Sequence, residues 1–175
     1  MGRALSTDAT AQHIEVAAKR VLILCRAAKL KIATAESCTG GLVIAALTEI
    51  AGSSDVVDRG FVTYSNAAKQ RMLGVTSLTL DQNGAVSRET AEEMAQGAVA
   101  NSDAHLAVAI TGIAGPGGAT PGKPVGLVHF AAAARDGRLI HREKRYGKIG
   151  RRRVRLKSVL EALAMLELLA NGVQG

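Results

Sequence analysis

Lys31-Ile32-Ala33-Thr34-Ala35-Glu36-Ser37-Cys38-Thr39-Gly40-Gly41-Leu42-Val43-Ile44-Ala45-Ala46-Leu47 is the stretch that decides the fold of this 175-residue chain. Lys31 to Glu36 is short and β-compatible, Ser37 to Gly41 are turn formers, and Leu42 to Leu47 is an apolar run. The spacing predicts a strand that turns tightly into a helix. A serine at such a junction stands at the carboxyl edge of a sheet, beside backbone N–H groups that can receive a developing oxyanion, which is what acyl transfer needs. Gly40 and Gly41 let a substrate come close to the backbone. The competing reading is that Ser37 or Thr39 only caps the helix.

On the N-terminal side, Ser6-Thr7-Asp8 reads as an N-cap group for an amphipathic helix ending near Lys29, with Ile14, Ala17, Ala18, Val21, Leu22 and Cys25 at helical spacing. On the C-terminal side, Arg59 to Tyr64 is a second strand, Asn66 to Leu73 a short helix closed by Gly74, and Ser87 starts a helix with Glu89 in its first turn. His105 to Ile110 is a third strand leading into the glycine-rich loop Gly112 to Gly122. Val125 to Ala133 and Arg138 to Arg145 are strands joined at Asp136-Gly137, a hairpin signal, and Arg151 to Ala170 is the last helix, with a Leu156, Val159, Leu160, Leu163, Leu166, Leu169 stripe. Interleaved strands and helices followed by a hairpin predict an α/β fold: one domain over residues 1–175, a three-layer α/β/α sandwich with a mixed, mostly parallel sheet and a C-terminal hairpin.

Composition narrows the function. The only aromatics are Phe61, Tyr64, Phe130 and Tyr146, so the core is aliphatic and bases have few stacking platforms. Cys25 and Cys38 read as free thiols, and the four histidines show no pair at ligand spacing, so neither a protein-held metal nor a cofactor is expected. No apolar run reaches a bilayer span and no secretory signal opens the chain, which predicts a cytoplasmic protein that does not enter a membrane. The formal net charge of +7 is concentrated between Arg142 and Lys157, where nine basic residues face Glu143 alone. That segment suits an anionic ligand or partner without marking the whole surface as basic.

Two further stretches bear on chemistry. Tyr64-Ser65-Asn66-Ala67-Ala68-Lys69 follows the second strand, whose end lies beside that of the first in a parallel arrangement and brings Tyr64 and Lys69 toward Ser37. A lysine serves as a base only when neutral, so burial or neighbouring positive charge must lower its pKa; a solvated helix lysine is the alternative. The loop Thr111 to Pro124 contains Gly117-x-x-x-x-Gly122-Lys123, which resembles a phosphate loop but has Pro124 in place of Ser or Thr and a strand where a helix should follow. What survives is a set of loop amides, near Thr111, Gly112, Gly115, Gly117 and Gly118, able to hold a phosphate or ribose.

The stretches AESCTGG, TYSNAAKQRMLGV, GAVSRETAEEMAQGA and AVAITGIAGPGG with PGKPVGLV, in this order, resemble the C-terminal domain of the competence/damage-inducible CinA family over about residues 10–170. The resemblance implies hydrolysis of nicotinamide mononucleotide to nicotinate mononucleotide and ammonia by a serine–lysine acyl-enzyme mechanism. It assigns Ser37 as nucleophile, Lys69 as base and Tyr64 as an assisting group. Thr39, Gly40, Gly41, Asn66, Thr111, Gly112, Gly115, Gly117, Gly118 and Arg151 are then the candidates for substrate binding. The family's longer members carry a further N-terminal nucleotide-processing domain, whose activity is not expected here. One departure stands out: where the family usually has Gly-Asp-Arg ahead of the last helix, this chain has Ile149-Gly150-Arg151. A non-catalytic family member, or a basic module binding nucleotides or nucleic acid, is the alternative to the amidase. The sequence leaves a homo-oligomer open.

Overall fold

The computed structural model describes residues 2–172, with side chains from residue 9 onward. The elements are α1 (Gly2–Ala27), β1 (Ile32–Glu36), α2 (Leu42–Thr48), β2 (Val57–Val62), α3 (Asn66–Leu73), α4 (Ser77–Asn83), α5 (Arg88–Ala100), β3 (Leu106–Gly112), β4 (Leu127–Ala134), β5 (Leu139–Arg145) and α6 (Arg151–Asn171). The strands form one sheet in the order β2-β1-β3-β4-β5. β1 pairs parallel with β2 and β3, while β4 runs antiparallel to both β3 and β5. Four strands therefore share a direction and β4 alone opposes it, the mixed sheet expected.

Helices cover both faces. α1, α2 and α6 pack on Ile32, Leu106, Val108, Ile110, Val128 and Phe130, a face of large side chains. The other face carries Ala33, Ala35, Ala107, Ala109, Ala131 and Ala133 and receives α5 through Ala91, Met94, Ala95 and Ala98. Small residues on both surfaces let helix and sheet approach closely, so shape rather than bulk fills this layer. Gly97 carries the same logic to α3: a Cβ there would stand 1.9 Å from the carbonyl oxygen of Leu73, so only glycine admits the end of the helix that carries Lys69. The central strands β1 and β4 are buried throughout, whereas β5, at the edge, is half-exposed and charged.

Several local expectations are corrected. α1 runs through Ser6, Thr7 and Asp8, which therefore do not cap it, and their side chains lie outside the described residues. α4 was not foreseen: Ser77-Leu78-Thr79-Leu80 lacks a helical apolar stripe, and the element is fixed by Thr76, whose hydroxyl accepts the N–H of Thr79. On α6, Val159, Leu163, Leu166 and Leu169 are buried as expected, but Val154, Ala162 and Met165 join them while Leu156 and Leu160 are only partly covered. The inward face is thus rotated from the leucine stripe. Among the described residues no helix is long and apolar enough to cross a membrane.

Candidate active site

The carboxyl ends of β1, β2 and β3 meet at one edge, and Ser37 stands between the other two: its N–H donates to the carbonyl of Ile110 on β3, while Thr63 beyond β2 donates its N–H to the carbonyl of Glu36. The turn after Ser37 is tight because Gly40 and Gly41 adopt φ of 60° and 99°, conformations costly for other residues. Glu36 is fully buried, and its carboxylate accepts the N–H groups of Gly41, Val43 and Ile44 at 2.9–3.0 Å and the hydroxyl of Thr34 at 3.2 Å. A buried carboxylate thus satisfies the start of α2 and is itself satisfied. From the opposite side, Arg155 of α6 donates to the carbonyls of Cys38 at 3.1 Å and Thr39 at 3.0 Å. Neither role was read from the sequence: an acid just ahead of a helix start is a signal for the first, whereas Arg155 lies 117 residues from Cys38.

Lys69 is 1% exposed, although it is a lysine on a short surface helix. Its Nζ donates to the carbonyl of Thr63 at 2.9 Å and stands 3.1 Å from Ser37 Oγ. No carboxylate pairs with it among the described ion pairs. Burial holds its pKa below the ordinary lysine value, opposed by a smaller influence of the Cys38 thiol. A neutral amine here has a lone pair to offer the serine proton. Cys38, next to Ser37, is 6% exposed, and burial pushes its thiol up to about 12, so it is held protonated and unreactive.

Tyr64 is 63% exposed at the mouth, and its hydroxyl accepts an N–H from Arg151 at 3.0 Å. Arg151 also donates to the carbonyl of Gly115 at 3.0 Å, tying the start of α6 to the tyrosine and to the glycine-rich loop. The remaining candidates divide. Thr111 is buried and its hydroxyl is committed to the carbonyl of Ala85 at 2.6 Å. Gly112 is needed for strand packing, since a Cβ would lie 2.7 Å from Val128. Gly117 and Gly118 are exposed on the loop, as is Asn66 at the start of α3. Lys123, the lysine of the near phosphate-loop match, donates to the carbonyl of Asn83 and anchors the loop to α4.

Not every backbone N–H of the turn beside Ser37 is free to receive an oxyanion. Gly40 gives its N–H to the carbonyl of Ser37 at 3.0 Å and Gly41 to Glu36, which leaves the N–H groups of Cys38 and Thr39 without a carbonyl partner. The Thr39 side chain is wholly buried and its hydroxyl lacks a hydrogen-bond partner.

Two of the four histidines, which show no pairing in the sequence, meet in the fold. His129 Nδ1 and His141 Nε2 lie 3.0 Å apart, because the β4–β5 hairpin sets them as diagonal neighbours on the α5 face. Burial lowers the pKa of both. Among the described residues no group of three or more His, Cys, Asp or Glu side chains is placed to hold a metal. The basic segment is also partly spent internally: Arg142 and Lys144 pair with Glu161, and Arg145 with Glu143.

Fold and site together define a class: a three-layer α/β/α protein with a buried lysine set against a serine at a strand-to-helix turn. The CinA C-terminal domain profile matches residues 14–170, and the chain belongs to that family. It is 48% identical over 142 residues to the nicotinamide-nucleotide amidohydrolase PncC of Enterobacter agglomerans, covering 80% of this chain and 86% of that protein. The solved structure of the competence/damage inducible protein CihA from Agrobacterium tumefaciens is 58% identical with a TM-score of 0.88, covering 91% of this chain and 96% of that one. A CinA superfamily protein of Escherichia coli superposes with a TM-score of 0.84 at 35% identity, covering 90% of this chain and 89% of that one. Several curated relatives are much longer. The chain spans 36% of a CinA-like protein from Synechococcus sp. and 26% of a relative from Caldicellulosiruptor bescii.

Proposed function

We propose that the protein is an amidohydrolase that converts nicotinamide mononucleotide to nicotinate mononucleotide and ammonia. The observation that carries this reading is the 3.1 Å approach of a buried Lys69 amine, paired with no carboxylate among the described residues, to Ser37 Oγ. The amidohydrolase relative from Enterobacter agglomerans supports the substrate class.

In the proposed reaction Lys69 takes the Ser37 proton as Oγ bonds to the carboxamide carbon, and the carbonyl electron pair moves to oxygen. Collapse of the tetrahedral species breaks the C–N bond. The lysine proton, directly or through the Tyr64 hydroxyl, goes to the departing nitrogen and releases ammonia. Water then attacks the ester and gives its proton to Lys69, which returns it to Ser37 as the carboxylate product leaves. No metal or cofactor enters these steps. The loop amides around Gly117 and Gly118 and the basic start of α6 are the candidates for the substrate phosphate.

The test is ammonia release from nicotinamide mononucleotide by the purified protein. Turnover that Ser37→Ala abolishes is expected, and a folded protein that releases no ammonia would favour a non-catalytic or nucleotide-binding role.

A further inference from the structure

We infer that Arg155 is a positioning residue that aims the Thr39 N–H at the oxyanion; this rests on the proposed Ser37 chemistry. Ser37 to Gly40 form a four-residue turn, closed by the Gly40 N–H on the Ser37 carbonyl at 3.0 Å. Its middle peptide joins Cys38 to Thr39. In such turns the middle peptide has two orientations, roughly opposite, and the alternative one requires φ > 0 at the third residue. Thr39 keeps out of the left-handed region, where its branched Cβ would be strained.

Arg155 supplies the second restraint. Its Nε donates to the Cys38 carbonyl at 3.1 Å and its Nη2 to the Thr39 carbonyl at 3.0 Å. In a trans peptide the C=O and the following N–H point in opposite directions. Arg155 belongs to α6, which packs with α1 and α2 on one face of the sheet, whereas α3, which carries Lys69, packs with α5 on the other. A Cys38 carbonyl drawn toward α6 therefore turns the Thr39 N–H toward the side of Ser37 Oγ and Lys69. That N–H, like the one of Cys38, is left by the turn without a carbonyl partner.

The guanidinium has a second effect. A charged donor on the carbonyl polarises the peptide and makes its N–H a stronger donor, at the point where negative charge develops. Arg155 thus acts through the backbone and need not touch substrate. The glycine at position 40 is called for by its φ of 60°, and not by the guanidinium, with which a Cβ would make ordinary contact at 3.5 Å.

The experiment compares wild type with Arg155→Gln and Arg155→Lys, using nicotinamide mononucleotide as substrate and 3-pyridineboronic acid as a probe that forms a tetrahedral adduct on a nucleophilic serine. Arg155→Gln is expected to lower kcat about 10-fold to 100-fold with KM within about threefold, and to weaken boronate binding by a similar factor. Arg155→Lys, which keeps the charge and one donor, should recover part of both. In amide NMR spectra the Thr39 signal should move on boronate binding in wild type and move less in each variant. A folded variant with unchanged kcat and an unchanged Thr39 response overturns the inference alone. A wild type that neither hydrolyses the nucleotide nor forms the adduct overturns the amidase reading, and the inference with it.

Discussion

Arg151 spans the mouth of the site, donating to the Tyr64 hydroxyl at 3.0 Å and to the Gly115 carbonyl at 3.0 Å. Because the guanidinium is only a donor, the tyrosine oxygen accepts there and its proton is left to face elsewhere. The sequence reading placed Arg151 among the candidates for substrate binding, yet two of its donors are engaged within the protein. Arg151→Ala is therefore expected to lower kcat about tenfold for both the nucleotide and its unphosphorylated riboside. Steady-state kinetics on the two substrates check this. A rise in KM confined to the nucleotide would show that Arg151 leaves Tyr64 to bind phosphate.

Lys69 yields a prediction in activity and one in stability. Lys69→Arg and Lys69→Met should each reduce turnover to near background, since arginine does not deprotonate and methionine has no base. In wild type kcat/KM should rise with pH through a value below the ordinary lysine range, because the neutral amine is the reactive form. Its folded pKa is lowered, so the unfolded chain binds the proton more tightly and the residue opposes folding at neutral pH. That penalty fades as pH rises toward about 10.5, the unperturbed value. Lys69→Met should accordingly raise the Tm at pH 7 and lose that advantage in alkali.

Ser37 and Cys38 compete on chemical grounds, since a thiol is the better intrinsic nucleophile. Burial favours Ser37, because it pushes the pKa of the Cys38 thiol up to about 12 while Ser37 Oγ stands 3.1 Å from the amine. Ser37→Ala should be inactive. Cys38→Ala should keep most turnover at a cost of about 1–2 kcal/mol in stability from the small cavity left behind. A dead but folded Cys38→Ala beside an active Ser37→Ala would make the enzyme a cysteine amidase.

The His129–His141 pair sets an acid limit. Burial is the main cause of the lowered pKa in both rings; Glu143 and Glu89 oppose it at each, Glu92 also at His141, while Lys123 reinforces it at His129 and Arg88 at His141. In the unfolded chain both histidines take up protons near the ordinary value of 6.5, so the contribution to stability is full above that pH and is lost as pH falls through the lower folded values. Urea titrations across this range should show ΔG falling less steeply in His141→Gln than in wild type. Equal slopes would mean that the pair does not set the limit.

Much of this was written locally. The β1 strand, the glycine turn and α2 follow from six β-compatible residues, two glycines and an apolar run, and α3 ends at Gly74 because that residue takes φ of 70°. Such signals need only neighbours in the chain, as does the small-residue pattern of β3 and β4 that buries both strands. The CinA resemblance, too, was legible in four stretches. α4 escaped because its stability comes from one threonine cap and from packing on α5, not from its own periodicity.

What the sequence by itself determined, then, is the order of elements apart from α4 and, through the family resemblance, the choice of Ser37 and Lys69 as the proposed pair. Only the tertiary structure decided what surrounds them. Lys69 reads as a solvated helix lysine until the packing around α3, with Gly97 admitting its end, buries it beside Ser37. Arg155 reads as a member of a basic run and Arg151 as a substrate-binding candidate until α6 crosses the sheet edge, where Arg151 is drawn to Tyr64 and Gly115 and Arg155 to the carbonyls of Cys38 and Thr39. Desolvation and the direction of a peptide plane depend on groups distant in the chain, here up to 117 residues apart, and no local pattern records which of them will meet.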